Sequence, residues 1–191
     1  VGPAATSAVA LSFLVTLCAV IAREILTGKN RRNLKVLVIV LALLASQALF
    51  QWEVFHQGYS DYGERLAIAV IITLIMVIGG RVVPSFTGNW LRHRGSQKMP
   101  RPFSRYDVVA IVVSVAALAA WALEPVLGDG LPWVAALLFV AAAFQLVRQA
   151  RWQPQLTFAE PPLTILHARY LVIPLCLRLP RPAALLAAWL F

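Results

Sequence analysis

Of the three histidines in the chain, His167 sits where a neutral imidazole can do chemistry. It lies in Pro161-Pro162-Leu163-Thr164-Ile165-Leu166-His167-Ala168-Arg169-Tyr170-Leu171-Val172-Ile173-Pro174. Helical spacing puts Thr164, His167, Tyr170 and Pro174 on one face of a mostly apolar segment, and such a stripe is expected to turn into a helix bundle. The imidazole there either ligates a metal or haem iron, with Thr164 or Tyr170 as the partner that fixes its tautomer, or makes an interhelical hydrogen bond worth about 0.6 kcal/mol in a bilayer. Spacing is compatible with both. Arg169, about 200° further round the helix, cannot share the stripe and is expected to snorkel to a headgroup region.

A second marked stretch is Gly79-Gly80-Arg81-Val82-Val83-Pro84-Ser85-Phe86-Thr87-Gly88-Asn89-Trp90. Paired glycines permit close backbone approach and Pro84 cannot donate, so the helix is expected to kink or end between Gly79 and Pro84. Freed carbonyls with Ser85, Thr87 and Asn89 would then form a polar cluster at membrane depth. Arg81 has a planar fork suited to clamping an anion such as a haem propionate. It is also placed as an ordinary positive-inside anchor at a helix end. Gln47, Gln51 and Ser46 on one segment, and Ser12, Thr16 and Arg23 on another, are expected to glue helices together. His56 and His93 are expected in loops, and Cys18 and Cys176 as small apolar residues.

The elements that carry these residues follow from composition. The chain has 191 residues, 60 % of them hydrophobic and 13 % charged, with a mean hydropathy of +0.77. That is too little polar surface to cover a water-soluble body. The net charge of +9 would suit a nucleic-acid binder, but the basic residues fall between apolar runs, so no nucleic-acid partner is expected. Two isolated cysteines exclude a disulfide scaffold and a zinc ribbon. Strict alternation is absent, which excludes a membrane barrel.

What remains is an all-α polytopic transmembrane helix bundle, in which each span needs roughly 20 apolar residues. Six stretches qualify: Ala4 to Ala22, Leu34 to Gln51, Leu66 to Val83, Val108 to Leu123, Leu131 to Val147 and Leu163 to Leu179, with a truncated seventh from Ala183. The start at Val1 and the end within an apolar run lead us to expect a single transmembrane domain cut from a longer chain. The six spans contain no Asp or Glu, which argues against a proton pump. No phosphate loop, nucleophile elbow or carboxylate pair is present, so a binding role is expected ahead of an enzymatic one.

Lys and Arg set the orientation. Arg23 to Lys35 holds five, Arg81 to Arg105 six and Arg148 to Arg151 two, against one in Glu53 to Arg65 and none in Glu124 to Pro132. The basic connections are therefore expected in the cytoplasm, against anionic lipid headgroups worth about 1 kcal/mol per residue near the surface. The acidic loops carrying Glu53, Asp61, Glu64, Glu124 and Asp129 are expected outside.

The run from Gly79 to Asn89 resembles the G-G-R-V-[IV]-P-x-F-T-x-N signature of the NnrS family. Pro162-Leu163-Thr164-Ile165-Leu166-His167 with Tyr170 is similar to that family's P-L-x-x-L-H-x-x-Y, and Arg31-Arg32-Asn33-Leu34 resembles its basic entry. The resemblance implies a multi-pass protein of the bacterial inner (cytoplasmic) membrane that binds haem and copper and takes part in the nitric oxide response. His167 would then be the metal ligand, with Arg81, Thr87, Asn89 and Tyr170 at the cofactor and nitric oxide as a candidate ligand. The competing class is a cofactor-free transporter or permease-like bundle. Two departures stand out: the family's histidine-rich segment of the type H-x-x-x-W-H-x-H-E-M and its later histidine-bearing spans are not found, and Arg169 replaces a small residue.

Cysteine scanning with an impermeant thiol reagent in intact cells tests the orientation. Positions 59 and 129 should label and positions 31 and 94 should not; the reverse pattern at 59 and 94 would contradict it.

Overall fold

Apolar runs of this length satisfy their own backbone only as helices, and the computed structural model describes residues 3–28, 33–128 and 132–178 as helices with short connections. They are α1 (Pro3–Thr27), α2 (Leu34–Gln57), α3 (Tyr62–His93), α4 (Arg105–Ala122), α5 (Glu124–Leu127), α6 (Pro132–Ala150), a 3-10 turn (Pro154–Thr157), α7 (Pro161–Tyr170) and α8 (Val172–Arg178). No strand occurs among the described residues. α1, α2, α3, α4 and α6 are each long and apolar enough to cross a membrane. The apolar stretch from Ala183, together with Arg31 and Asp129, lies outside the described residues.

The chain divides into two compact units, one ending at Leu74 and one beginning at Ile75. In the first, α1 packs on α2, with Ser7 Oγ donating to Gln51 Oε1 at 2.6 Å and the buried Cys18 Sγ facing the Val40 carbonyl at 3.7 Å. Gln51 thus joins helices as expected. Ser12 and Thr16 do not: exposed, they spend their hydroxyls on their own helix, on the carbonyls of Val9 and Ser12.

Glu53 also departs from expectation. It is buried in the last turns of α2 rather than solvated in an outer loop. Its carboxylate accepts from Ser60 Oγ, from the Gly63 amide at 2.9 Å and from the Tyr62 amide at 3.3 Å. These amides open α3 and have no carbonyl a turn earlier to bond, so a negative group there satisfies them and complements the helix dipole. Between the two helices Gly58 takes the left-handed conformation (φ 80°) that closes α2, its amide bonding the Val54 carbonyl.

In the second unit α4 packs on α6 and α6 on α8. The buried face of α4 runs Asp107, Ala110, Ser114, Ala117, Leu118, Trp121, and that of α6 runs Val134, Leu138, Ala141, Ala142, Gln145, Arg148, Gln149. Small residues let two helices approach closely where water supplies no driving force. Gln145 Nε2 uses the closeness to donate to Ser114 Oγ at 2.9 Å and to the Ala110 carbonyl at 3.2 Å.

The expected interruption of the third helix is not found. α3 runs unbroken from Tyr62 to His93 with Pro84 inside it. Pro84 costs the Gly80 carbonyl one partner, but a single missing bond in a helix of 32 residues leaves its neighbours paired, and membrane helices tolerate proline for this reason. The break comes instead in the last expected span, which ends as α7 at Tyr170 and resumes as α8 at Val172. Pro174 accounts for it, since its missing N–H would have bonded the Tyr170 carbonyl and its ring crowds that group.

Gly63 lies against Phe50, and a Cβ added there would collide with the Phe50 backbone. Gly63→Ala should therefore push α2 and α3 apart and destabilise by about 1 to 3 kcal/mol. An unchanged melting temperature in detergent would show that the two helices do not meet this closely.

Candidate functional site

The buried end of α6 is polar. Arg148, among the largest fully buried side chains, is 1 % exposed. Charge in that position has to be compensated locally. Arg148 Nε donates to Asp107 Oδ1 at 3.1 Å. Its Nη1 donates to Tyr170 Oη at 2.9 Å, to the Met76 carbonyl at 3.3 Å and, more weakly, to Gln145 Oε1 at 3.5 Å. Tyr170 in turn donates to Gln145 Oε1 at 3.1 Å. One guanidinium therefore ties together α3, α4, α6 and α7.

Asp107 is held for this pairing by its place in the helix. It is the third residue of α4, and its carboxylate accepts from the Ser104 amide at 2.9 Å and from Ser104 Oγ at 3.0 Å, a capping box. Arg151 approaches the same carboxylate at 3.6 Å and donates to Ser104 Oγ at 2.7 Å. The carboxylate thus meets two cations, one buried and one half-buried. Arg148, counted above among loop charges, is not in a loop, and Asp107, one residue before the expected fourth span, is buried in α4; the basic asymmetry of the connections survives the loss of one residue.

The paired glycines make this possible. A Cβ on Gly80 would collide with the Arg148 guanidinium, and one on Gly79 would meet the Tyr170 ring at 2.9 Å. Their function in the structure is close approach rather than hinging. Trp152 closes the other side, edge-on to Tyr170 with 4.7 Å between ring centroids.

One turn before Tyr170 on the same helix stands His167, 4 % exposed. The expected inward stripe is present: His167, Tyr170 and Pro174 are buried and Thr164 half-buried. The partner of the imidazole is neither Thr164 nor Tyr170. His167 Nε2 lies 2.9 Å from Thr87 Oγ1 on α3, which donates to the Val83 carbonyl at 2.9 Å. Thr164 instead donates to the Thr157 carbonyl at 2.7 Å, holding the start of α7. Gln149 Nε2 donates to the His167 carbonyl at 2.6 Å. Two buried atoms in this cluster have no hydrogen-bond partner, His167 Nδ1 and Gln149 Oε1.

Of the five residues singled out from sequence, the structure brings three together: Thr87, His167 and Tyr170. Arg81 and Asn89 are exposed, Arg81 on the flank and Asn89 on the far side of α3 from its buried stripe of Gly80, Val83, Thr87 and Leu91. Arg148, Asp107, Gln145 and Gln149 were missed, though two signals pointed to them. Ser104-Arg105-Tyr106-Asp107 has the spacing of a capping box, and the apolar stripe of α6 continues in register into Gln145 and Arg148.

The two sequence stretches are therefore coupled in space, through Thr87 and His167 and through Gly79 and Tyr170. The family model described as NnrS protein matches residues 1–190. The chain belongs to the NnrS family. No curated protein and no solved structure gives a significant match. Membership and the long apolar helices together make this NnrS-family chain a membrane protein.

Breaking the ion pair on one side should cost more than removing it. Arg148→Met takes the buried cation from the Asp107 carboxylate, which keeps Arg151 and the Ser104 donors, and should destabilise by at most about 3 to 5 kcal/mol. Arg148→Met with Asp107→Leu should recover part of that loss. Denaturation of the purified proteins in detergent checks the order, and a double variant less stable than Arg148→Met would contradict it.

Proposed function

We propose that this NnrS-family chain acts as a haem- and copper-binding protein of the bacterial inner membrane in the nitric oxide response, with His167 supplying one ligand. The observation that supports this is the unpartnered Nδ1 of a buried imidazole, at the place where the two stretches characteristic of the family meet. A buried acceptor without a donor is uncommon and calls for an explanation, and a metal is an electron-pair acceptor of the kind that imidazole serves.

The donor set fits one ligand and no more. Among the described residues no group of three His, Cys, Asp or Glu side chains could hold a metal ion. Further ligands would come from outside those residues. A metal held at His167 would supply a centre able to bind a small molecule such as nitric oxide. The chain's own residues would orient the imidazole, through Thr87 and the Gln149 bond to its carbonyl, and keep water from it by burial. The basic connection Arg92 to Arg105 would lie on anionic headgroups.

A second reading, a cofactor-free transporter, is favoured by the buried Arg148–Asp107 pair, because ionisable groups inside a bundle often mark a transport pathway. An optical spectrum with elemental analysis separates the two. Purified protein should show a haem Soret band and contain copper, and colourless, metal-free protein would favour the transporter. On the first reading His167→Ala should lose metal from the monodisperse fraction, while Tyr170→Phe, which breaks bonds to Arg148 and Gln145 and none to the imidazole, should have a smaller effect. Unaltered haem and copper in His167→Ala would end the ligand assignment.

A further inference from the structure

An imidazole can offer a lone pair at either nitrogen, and the hydrogen bond at one decides which remains free at the other. For His167 that bond is to Thr87. The Thr87 hydroxyl has a single hydrogen and two neighbours at 2.9 Å, the Val83 carbonyl oxygen and His167 Nε2. A carbonyl can only accept. Were the hydrogen turned toward Nε2, the hydroxyl and carbonyl oxygens would face each other lone pair to lone pair at hydrogen-bonding distance. With the hydrogen on Val83 both contacts are satisfied, provided that Nε2 carries the ring proton and donates to Oγ1.

That arrangement leaves the lone pair on Nδ1, the atom found buried and without a partner. The other such atom is Gln149 Oε1, also an acceptor, on the side chain whose Nε2 is fixed by the His167 carbonyl. The free lone pair on the buried imidazole calls for a partner that accepts an electron pair, a proton donor or a cation. A cation meets that need and an anion does not.

We propose that His167 binds a soft metal cation through Nδ1, and that Thr87 is the positioning residue that frees this nitrogen by holding the proton on Nε2. The proposal rests on the metal-ligand reading of His167. On this reading Thr87 acts only through the imidazole and does not touch the metal.

Two-bond proton–nitrogen correlation spectra of the full chain, labelled with nitrogen-15 in histidine and purified metal-free in detergent, read the tautomer directly. Exposed His56 and His93 serve as references. His167 should be protonated at Nε2 before metal is added. Copper(I), which is diamagnetic, should then move the Nδ1 resonance while Nε2 keeps its proton. Thr87→Val should lose the tautomer preference and bind copper(I) about 10- to 100-fold more weakly, and Thr87→Ser should restore both. Movement of Nε2 in place of Nδ1 would overturn the proposal and leave the metal-ligand reading standing. If the metal-free protein shows the Nε2 proton and copper(I) moves neither nitrogen, the metal-ligand reading itself fails, and this proposal with it. Wild-type tautomer and affinity in Thr87→Val would remove Thr87 from the mechanism, and should that variant not fold, the wild-type and Thr87→Ser spectra still decide which nitrogen binds.

Discussion

A guanidinium cut off from solvent must be neutralised and hydrogen-bonded where it stands, and most of the second unit is arranged around meeting that requirement for Arg148. Its desolvation is expensive, and a bare Coulombic pair does not repay it unless the remaining donors and acceptors are also satisfied. The structure supplies them from four helices: the Asp107 carboxylate from α4, the Met76 carbonyl from α3, Gln145 from α6 itself and the Tyr170 hydroxyl from α7. Each contact also fixes a helix. Small residues along α4 and α6 bring the partners within reach, and the absence of a side chain at Gly80 leaves the space that the guanidinium fills.

The position of His167 follows from that arrangement. Tyr170, three residues on, is clamped by Arg148 and Gln145, so the rotation of α7 about its axis is set before the imidazole makes any bond of its own. Gln149, adjacent to Arg148, fixes its translation by donating to the His167 carbonyl. At its start α7 is held by Glu160, whose carboxylate accepts from Trp90 Nε1 at 3.1 Å, and by Pro161 and Pro162, whose fixed φ suits a first helical turn. Loss of the ion pair would thus be felt at the imidazole through Tyr170 and Gln149.

Much of this was legible in the sequence. Apolar length gave the helices, and spacing gave the inward stripe of His167, Tyr170 and Pro174. What spacing cannot show is which helix a stripe faces, so Thr87 could be marked as polar and near the membrane but not as the partner of His167. The close approach expected of the paired glycines is present and the interruption expected with Pro84 is not. Here Gly79 and Gly80 matter for the space they leave, which depends on residues 68 to 91 positions away along the chain. Glu53 and Arg148 fall in expected loops, and Asp107 just outside the expected fourth span, because ionisable residues near span ends normally are solvated. Their burial depends on partners in other helices, and only Asp107 carried a local sign of it, in the capping spacing after Ser104.

The distribution of charge separates the two ends of this polar core. Asp107 answers the buried Arg148, and Arg151, partly exposed at the edge, has solvent as well as the carboxylate to stabilise it. Among the described residues, the hydrogen-bond partners of the Thr87, His167 and Gln149 side chains are one another's groups and the Val83 carbonyl, all uncharged when the imidazole is neutral. A hard divalent cation placed there would be poorly compensated, because imidazole and amide oxygen bring no charge into a medium of low dielectric. On the proposed reading that neutrality suits a monovalent soft ion, or an iron whose charge is already cancelled by its macrocycle. The neutralisation of Arg148 by Asp107 serves the same end, since an unneutralised Arg148 would oppose any cation that the Nδ1 lone pair attracts.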